Sequence, residues 1–273
     1  MRLDLRMKEK LKNEIESGVS INKISECLNV PKSTVYYYYK KIKGRLYNTP
    51  DIVASMSEQE GEIVGIFAGD GSQYFEPKRY RYEVNVHFGI KNKWYAEYVK
   101  GLFDEFFQKS FRLQEEEQTK LRLRTESKNI FEYFSRYLEF DRRVKHATVQ
   151  LKSIPMPTEF KIGFLRGLFD TDGCIRVDGK GKRIRIFLTT TSSSLAKQVH
   201  ELLDEIGIKN KVYVSPRKEE KTVYIVNVWK ESTNSFINQV RPRKAVQQGL
   251  VAKPGIASPW LGEDCGFESR PVH

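Results

Sequence analysis

The stretch "GFLRGLFDTDGCI", residues 163–175, is an apolar, helix-like run that ends in two carboxylates and a glycine. A second stretch with the same outline, "GEIVGIFAGDGS", occupies residues 61–72, so Asp70 and Asp172 stand 102 positions apart. Both stretches place small residues four apart, with bulky apolar residues between them, ahead of an Asp-Gly pair. The two stretches together predict two related helices, each of which ends in an acidic residue.

The small residues of these stretches would form a strip along one face of each helix. They are Gly61, Gly65, Gly69, Gly163, Gly167 and Thr171. Glycine inside a helix is less favourable than alanine by about 1 kcal/mol, so the strips need an offsetting gain, and close backbone approach is the natural one. Two helices packed along these strips would bring their C-terminal ends together and make Asp70 and Asp172 neighbours.

Two neighbouring carboxylates at helix C-termini repel each other and meet the negative ends of both helix dipoles. A bound divalent cation reverses both penalties, and Mg²⁺ suits a site with few protein oxygens because it retains water and takes phosphate oxygens. We therefore predict Mg²⁺ at Asp70 and Asp172, with Mn²⁺ or Ca²⁺ able to replace it for binding. A single Asp-Gly end is more often an ordinary turn, but two copies that both lead into basic strands favour the metal site.

The order of elements also repeats. Residues 58–154 and 155–248 are each predicted to read helix, strand, strand, helix, strand, strand, helix, which indicates a duplicated half-domain of the α+β class. In the first copy, a strand is predicted from Arg79, where apolar residues alternate with polar ones up to Gly89. The apolar set is Tyr80, Tyr82, Val84, Val86 and Phe88.

Residues 1–46 are predicted to form a small all-helical domain. The segment "SINKISECLNVPKSTVYYYYKKIKGR" predicts a helix, a turn at residues 29–31 and a second helix, which resembles the helix-turn-helix of resolvases and repressors. Its candidate DNA contacts are Lys32, Ser33, Thr34, Tyr36, Tyr37 and Lys40, with Lys41 and Lys43 towards phosphates. The alternative is a helical hairpin used for packing. Residues 47–57 are predicted to be a linker, and residues 249–273 a disordered tail.

Composition narrows the function classes. The 273 residues contain 47 Lys and Arg against 35 Asp and Glu, a net charge of +12 that favours a polyanionic partner. Three scattered cysteines make no disulfide framework, and no apolar run is long enough to cross a bilayer. We expect a cytoplasmic, DNA-associated protein with no membrane partner.

Two segments resemble the paired LAGLIDADG motifs of the single-chain homing endonucleases: "IVGIFAGDG" (63–71) and "LRGLFDTDG" (165–173). The resemblance covers residues 58–248. It implies a pseudo-twofold fold in which the motif helices pack centrally and two antiparallel sheets form a saddle on the DNA major groove. It also implies Mg²⁺-dependent double-strand cleavage at a long recognition site, which leaves short 3′ overhangs.

The resemblance assigns the last acid of each motif, Asp70 and Asp172, as the metal ligands, with the backbone carbonyls of Gly69 and Thr171 facing the metal. Asp170 occupies the earlier acid position, where the first copy has Ala68.

Basic and polar residues near the attacking water are a further implication of the resemblance. Lys145 and Lys244 are the candidate basic residues, although ordinary phosphate or solvent lysines fit them equally well. Thr190 is the candidate polar residue. The candidate DNA-reading residues on the strands are Arg79, Arg81, Asn85, His87, Lys120, Arg122 and Arg124 in the first half, and Arg176, Lys182, Arg183, Arg185 and Thr189 in the second.

Two other functions remain open at this point. The protein could be an RNA maturase that assists intron splicing, or a non-catalytic regulator that joins a LAGLIDADG-like body to a helix-turn-helix. The chain begins with Met1 and ends in Pro-Val-His, without splicing-type ends, so we expect an intron-encoded or free-standing protein rather than an intein. The expected partner is double-stranded DNA, with intron RNA as a second candidate, and the expected state is a monomer.

Overall fold

A computed structural model of the protein describes residues 3–44, 52–178, 183–216 and 222–247. Three earlier predictions fall outside these ranges: residues 47–51 of the linker, Lys182 and the tail of residues 249–273.

The N-terminal residues form three helices: α1 (Leu5–Glu16), α2 (Ile21–Leu28) and α3 (Lys32–Lys43). The turn before α3 is the predicted one, because Asn29 adopts a left-handed conformation with φ 49° and Pro31 precedes the helix. A small core joins the three helices and consists of Leu3, Leu11, Ile15, Ile24, Val30 and Val35. Leu5, the first residue of α1, lies outside this core and is 81% exposed.

The two halves that follow have the same element order. The first contains α4 (Glu58–Asp70), β1 (Gly71–Glu76), β2 (Arg81–Gly89), α5 (Lys93–Phe107), β3 (Arg112–Glu116), β4 (Lys120–Glu126) and α6 (Lys128–Tyr133). The connection that follows contains β5 (Leu138–Glu139), α7 (Lys145–Thr148) and β6 (Gln150–Leu151). The second half contains α8 (Thr158–Thr171), β7 (Gly173–Asp178), β8 (Arg183–Thr190), α9 (Ser193–Glu205), β9 (Asn210–Ser215), β10 (Val223–Val228), α10 (Thr233–Val240) and α11 (Arg243–Gln247).

Each half builds one four-stranded antiparallel sheet. The strand orders, β1-β2-β4-β3 and β7-β8-β10-β9, correspond position by position. The predicted α+β duplication is therefore confirmed. Both sheets place alternate residues against the main core, and Val84, Val86 and Phe88 of β2 are buried there as the alternation predicted.

The start of β2 differs from the prediction. Tyr80 has φ 48° and lies in the turn between β1 and β2, so the strand begins at Arg81 rather than Arg79. A residue in the left-handed conformation cannot continue the extended strand. The apolar and polar alternation in the sequence therefore begins at Arg79, two residues before the strand itself.

The helices α4 and α8 pack against each other along the predicted strips of small residues. A Cβ atom added at Gly61 would lie 2.1 Å from the backbone oxygen of Phe160, and one at Gly163 would lie 1.9 Å from that of Glu58. Gly65 and Gly167 repeat this reciprocal contact one turn later. Because equivalent residues exchange equivalent contacts, the two helices run parallel about a pseudo-twofold axis, and their C-terminal ends meet.

Within the described residues, no helix combines the length and the apolar character that spanning a membrane requires.

Candidate active site and nucleic-acid interface

Asp70 and Asp172 lie at the joined ends of the two central helices. Asp70 is the last residue of α4, and Asp172 directly follows the last residue of α8. A Cβ added at Gly69 would stand 2.1 Å from the Thr171 hydroxyl oxygen and 3.3 Å from a carboxylate oxygen of Asp172. The absence of a side chain at Gly69 therefore allows the two acids to approach each other across the helix contact.

The electrostatics of this pair are unfavourable for two free carboxylates. Burial, together with repulsion from Asp172, raises the pKa of Asp70 to about 7, although Lys244 and Lys145 oppose the shift. Burial also raises the pKa of Asp172, again against the two lysines. The site thus favours an added positive charge, whether a proton or a cation.

Lys145, the first residue of α7, reaches the end of α4. Its ammonium group donates hydrogen bonds to the backbone oxygens of Ala68 and Gly69, both at 2.8 Å. Burial lowers the pKa of Lys145 to about 8, and the charges of Asp172 and Asp70 oppose this shift. The sequence-based candidate is therefore next to the acid pair, fixed by backbone atoms.

Lys244 approaches the acid pair from α11 in a different way. Its backbone N–H donates to one carboxylate oxygen of Asp170 at 3.0 Å, and the N–H of Arg243 donates to the other at 2.8 Å. Asp170 is 1% exposed, so this buried carboxylate holds the start of α11 against the end of α8. The first half has Ala68 at the equivalent position, and the two halves consequently hold their lysines by different means.

The oxygens available to a metal are few. In the part of the chain that the structure describes, no group of three or more His, Cys, Asp and Glu side chains is placed to hold an ion. The acid pair supplies two carboxylates. The carbonyl of Gly69 already accepts one hydrogen bond from Lys145, and its second lone pair is its remaining acceptor site. The hydroxyl of Thr171 donates within its own helix, to the Gly167 and Leu168 oxygens.

The polar face of the first sheet carries most of the predicted reading residues. Arg81, Arg122 and Arg124 lie on it, and all three form ion pairs with glutamates of the same face. Glu83 is at the centre, 5% exposed, and its carboxylate lies 2.8 Å from Arg124 and 2.5 Å from Arg81. These arginines are therefore oriented by neighbouring acids before any ligand arrives.

Four other candidates on or beside this sheet lie in different environments. Asn85 is 5% exposed, and its amide oxygen has no hydrogen-bond partner. His87 is exposed at 3.1 Å from the hydroxyl of Ser72. Arg79 is in the turn beyond the strand, with its side chain 71% exposed, and Lys120 is exposed at the opposite end of β4.

The second sheet presents fewer charges. Arg176 and Arg185 face each other across β7 and β8, and both are exposed. Thr189 is exposed further along β8. Arg183 is the first residue of β8, opposite Asp178, and its side chain is outside the described set. This face also carries Phe187, so the two sheets offer chemically different surfaces.

The predicted N-terminal contacts lie on α3. Lys32 and Ser33 are exposed at its first turn, followed by the partly buried Thr34. Lys40 lies over the ring of Tyr36, 5.0 Å from its centroid. Tyr37 is 47% exposed and touches the main body.

Comparison with known proteins supports this architecture. The family model described as "LAGLIDADG-like domain" matches residues 159–241. The homing endonuclease I-DmoI of Desulfurococcus mucosus is 24% identical over 184 residues, which are 65% of this chain and 84% of that protein. The solved structure of I-DmoI with DNA and Ca is similar to 72% of this chain and all of that one, with 17% identity and a TM-score of 0.54. A variant of I-DmoI with its target DNA and Mg is similar to 68% of this chain and 97% of that one, with 18% identity and a TM-score of 0.51.

The second half of the chain is similar to the LAGLIDADG-like domain, and the fold of the whole body is similar to that of I-DmoI. The match lies in the second half, and the first motif and its sheet repeat the same arrangement.

A buried charge cluster that was not predicted from the sequence joins the two halves. Glu62 of α4 is 1% exposed and accepts hydrogen bonds from Arg166, Arg243 and Tyr98. Arg166 of α8 also donates to Glu58 and to the backbone oxygen of Val240. The sequence contained one indication of this cluster: Glu62 and Arg166 are charged residues on helices whose motifs predict burial. A buried charge requires a partner of opposite charge, so a pairing between the helices could have been predicted.

The hydroxyl of Thr190 accepts a hydrogen bond from the backbone N–H of Ser192, at the start of α9. Thr190 is 8% exposed and belongs to the inward-facing residues of β8. Its hydroxyl therefore already accepts one hydrogen bond at the start of α9, and its role beside a water stays a prediction.

The raised pKa of Asp70 predicts that the stability of the folded protein depends on pH. Without divalent metal, the unfolded chain loses the Asp70 proton near pH 4, whereas the folded protein keeps it to about pH 7. The contribution of Asp70 to the free energy of unfolding is therefore fully present below about pH 4 and is lost as the pH rises through about 7. We expect Asp70→Asn to raise the melting temperature in EDTA more at pH 8 than at pH 4.

Differential scanning fluorimetry of the wild type and Asp70→Asn, with Glu97→Gln at an exposed position of α5 as a matched control, measures this difference. An equal gain for Asp70→Asn at both pH values would contradict it.

Proposed function

We propose that the protein is a site-specific DNA endonuclease that makes metal-dependent double-strand breaks in a long recognition site. The observation that carries this proposal is the meeting of Asp70 and Asp172, one from each half, at the joined ends of α4 and α8. A pseudo-twofold pair of acids corresponds to the two antiparallel strands of duplex DNA. Homing of an intron or of a free-standing mobile element is the corresponding biological role.

The residues present fit a divalent cation. Two partly buried carboxylates with raised pKa values are stabilised by added positive charge, and their few oxygens leave positions for water and phosphate, as Mg²⁺ requires. Asp70 and Asp172 would hold the ion, with the carbonyls of Gly69 and Thr171 nearby. When bound, the ion would polarise the phosphodiester and stabilise the leaving oxygen. Mn²⁺ or Ca²⁺ would replace it for binding.

The two lysines would act on opposite sides of the acid pair. Lys145, with a pKa of about 8, is able to exchange a proton near neutral pH, and its bonds to Ala68 and Gly69 keep its ammonium group at the end of α4. Lys244 is fixed through Asp170 at the end of α8. Each lysine would orient a water or neutralise charge at one strand.

The polar faces of the two sheets would contact the major groove. Arg81, Arg122 and Arg124 are held in ion pairs, so phosphate or guanine oxygens would take over from the glutamates when DNA binds. Arg176, Arg185 and Thr189 would serve the second half-site. The single chain supplies both halves and both acids, and we infer that it acts inside the cell as a monomer.

A cleavage selection tests the proposal. Purified protein is incubated with a randomised duplex library and Mg²⁺, and cut molecules are ligated to adapters and sequenced. We expect one aligned family of long sites with two staggered cuts, and no enrichment when EDTA replaces Mg²⁺. Recovery of bound but uncut duplexes would favour the non-catalytic regulator. Binding of structured intron RNA without any DNA cutting would favour the maturase.

A further inference from the structure

The three N-terminal helices are attached to one particular place on the first half. The hydroxyl of Tyr80 donates a hydrogen bond of 3.0 Å to that of Tyr37 on α3, and the two rings meet edge to face with centroids 5.7 Å apart. Lys128 donates to the backbone oxygens of Lys41 and Ile42, in the last turn of the same helix. These contacts satisfy carbonyls that a helix C-terminus leaves without partners, so they fix the position of α3.

Both contacts lie at the outer end of the first sheet. Tyr80 is in the turn that joins β1 to β2, and Lys128 begins α6 two residues after the end of β4. The opposite end of β1 is Gly71, which directly follows Asp70. Six residues of strand span about 20 Å, so the attachment point is that far from the acid pair. B-DNA rises 3.4 Å per base pair, and the distance corresponds to about six base pairs.

The surface of α3 suits a polyanion. Val35 is buried in the N-terminal core, whereas Lys32 and Ser33 are exposed at the first turn, where helix N–H groups and the dipole also favour negative charge. Residues 27–50 contain five Lys and Arg and no Asp or Glu. Duplex DNA is the polyanion expected here, since the proposed function already places a duplex along the adjoining sheet.

We propose that α3 binds duplex DNA on the flank of the first half-site, beginning about six base pairs from the acid pair. This inference rests on the proposed function. The recognition site would then extend further from the cut on the side read by the first sheet, and the second half, which has no such unit attached among the described residues, would read the shorter side.

The test uses the full-length protein and a randomised duplex library. Bound duplexes are selected with Ca²⁺, the recovered pool is cut with Mg²⁺, and the sites are aligned on the cut. We expect base preferences or backbone protection on one flank only. Arg124→Ala, on the first sheet, should relax preferences on that same side. The double variant Lys32→Ala/Lys40→Ala should lose the base preferences or protection on that flank. It should also reduce the slope of log K against log salt concentration by about 2 in magnitude.

Lys8→Ala/Lys10→Ala is the matched control, because it removes the same charge from exposed positions on α1. This control variant should retain the base preferences or protection on that flank and the wild-type dependence of log K on salt concentration. The inference is overturned if the site ends symmetrically, if the extra flank lies on the side of the second sheet, or if both double variants behave alike. Cutting at a symmetric site would contradict the flank contact and support the proposed endonuclease function. One-sided binding without cutting would support the flank contact and contradict the endonuclease function.

Discussion

Asp70→Asn and Asp172→Asn should each abolish double-strand cleavage and retain DNA binding. Either change replaces one of the two carboxylates at the joined helix ends by a neutral side chain of the same shape. Loss of the electrostatic stabilisation from a correctly held cation is worth several kcal/mol, and about 4 kcal/mol corresponds to about a thousandfold in rate. Binding should persist, since the sheets are unchanged and one negative charge near the phosphates is removed.

The measurement is the conversion of a supercoiled plasmid with the selected site to nicked and linear forms, together with a binding titration. Glu97→Gln, an exposed change on α5, controls for the loss of one carboxylate elsewhere. Linear product formed by either aspartate variant at the wild-type rate would remove both residues from the proposed site.

Gly65→Ala should destabilise the fold, although a Gly→Ala change inside a helix normally stabilises it. The new Cβ would lie 2.2 Å from the backbone oxygen of Phe164 and 2.9 Å from the nitrogen of Leu168, so the central helices must separate. Overpacking against side chains costs about 1–3 kcal/mol, and backbone atoms have less freedom to move, so we expect a loss of about 3 kcal/mol or more. For a protein of this size, such a loss lowers the melting temperature by about 6–12 °C.

Gly101→Ala is the matched control for this prediction. Gly101 lies in the helix α5, and an added Cβ meets no atom within 4 Å. The helix preference of alanine should therefore raise stability by about 1 kcal/mol. Thermal unfolding of both variants gives the comparison, and similar melting temperatures for Gly65→Ala and the wild type would show that α4 and α8 do not approach as closely as described.

The features of the fold that could be predicted from the sequence are those that repeat within the chain. The motif helices, their small-residue strips and the order of elements recur within one chain, and each was predictable from spacing alone. The turn at Asn29 and Pro31 was also predictable, since both residues have strong local preferences. The strand β1 was harder to predict, because "GSQYFE" shows no regular alternation.

Contacts between residues that are far apart in the sequence could not be predicted from the spacing of residue types. Glu83 pairs with Arg124 only through the register of β2 with β4. Asp170 binds the backbone of Arg243 and Lys244, more than 70 residues later. Lys145 was predicted as a basic residue near the site, but its partners are backbone oxygens, which carry no sequence signature.

The central claim is that Asp70 and Asp172 share one divalent ion site on the pseudo-twofold axis. An anomalous difference map from crystals of the protein grown with its selected duplex and Mn²⁺ measures this directly. We predict Mn²⁺ density within coordination distance of both carboxylates, beside the phosphates of the cut positions. Mn²⁺ density that contacts neither aspartate, or only sites elsewhere on the chain, would contradict the account.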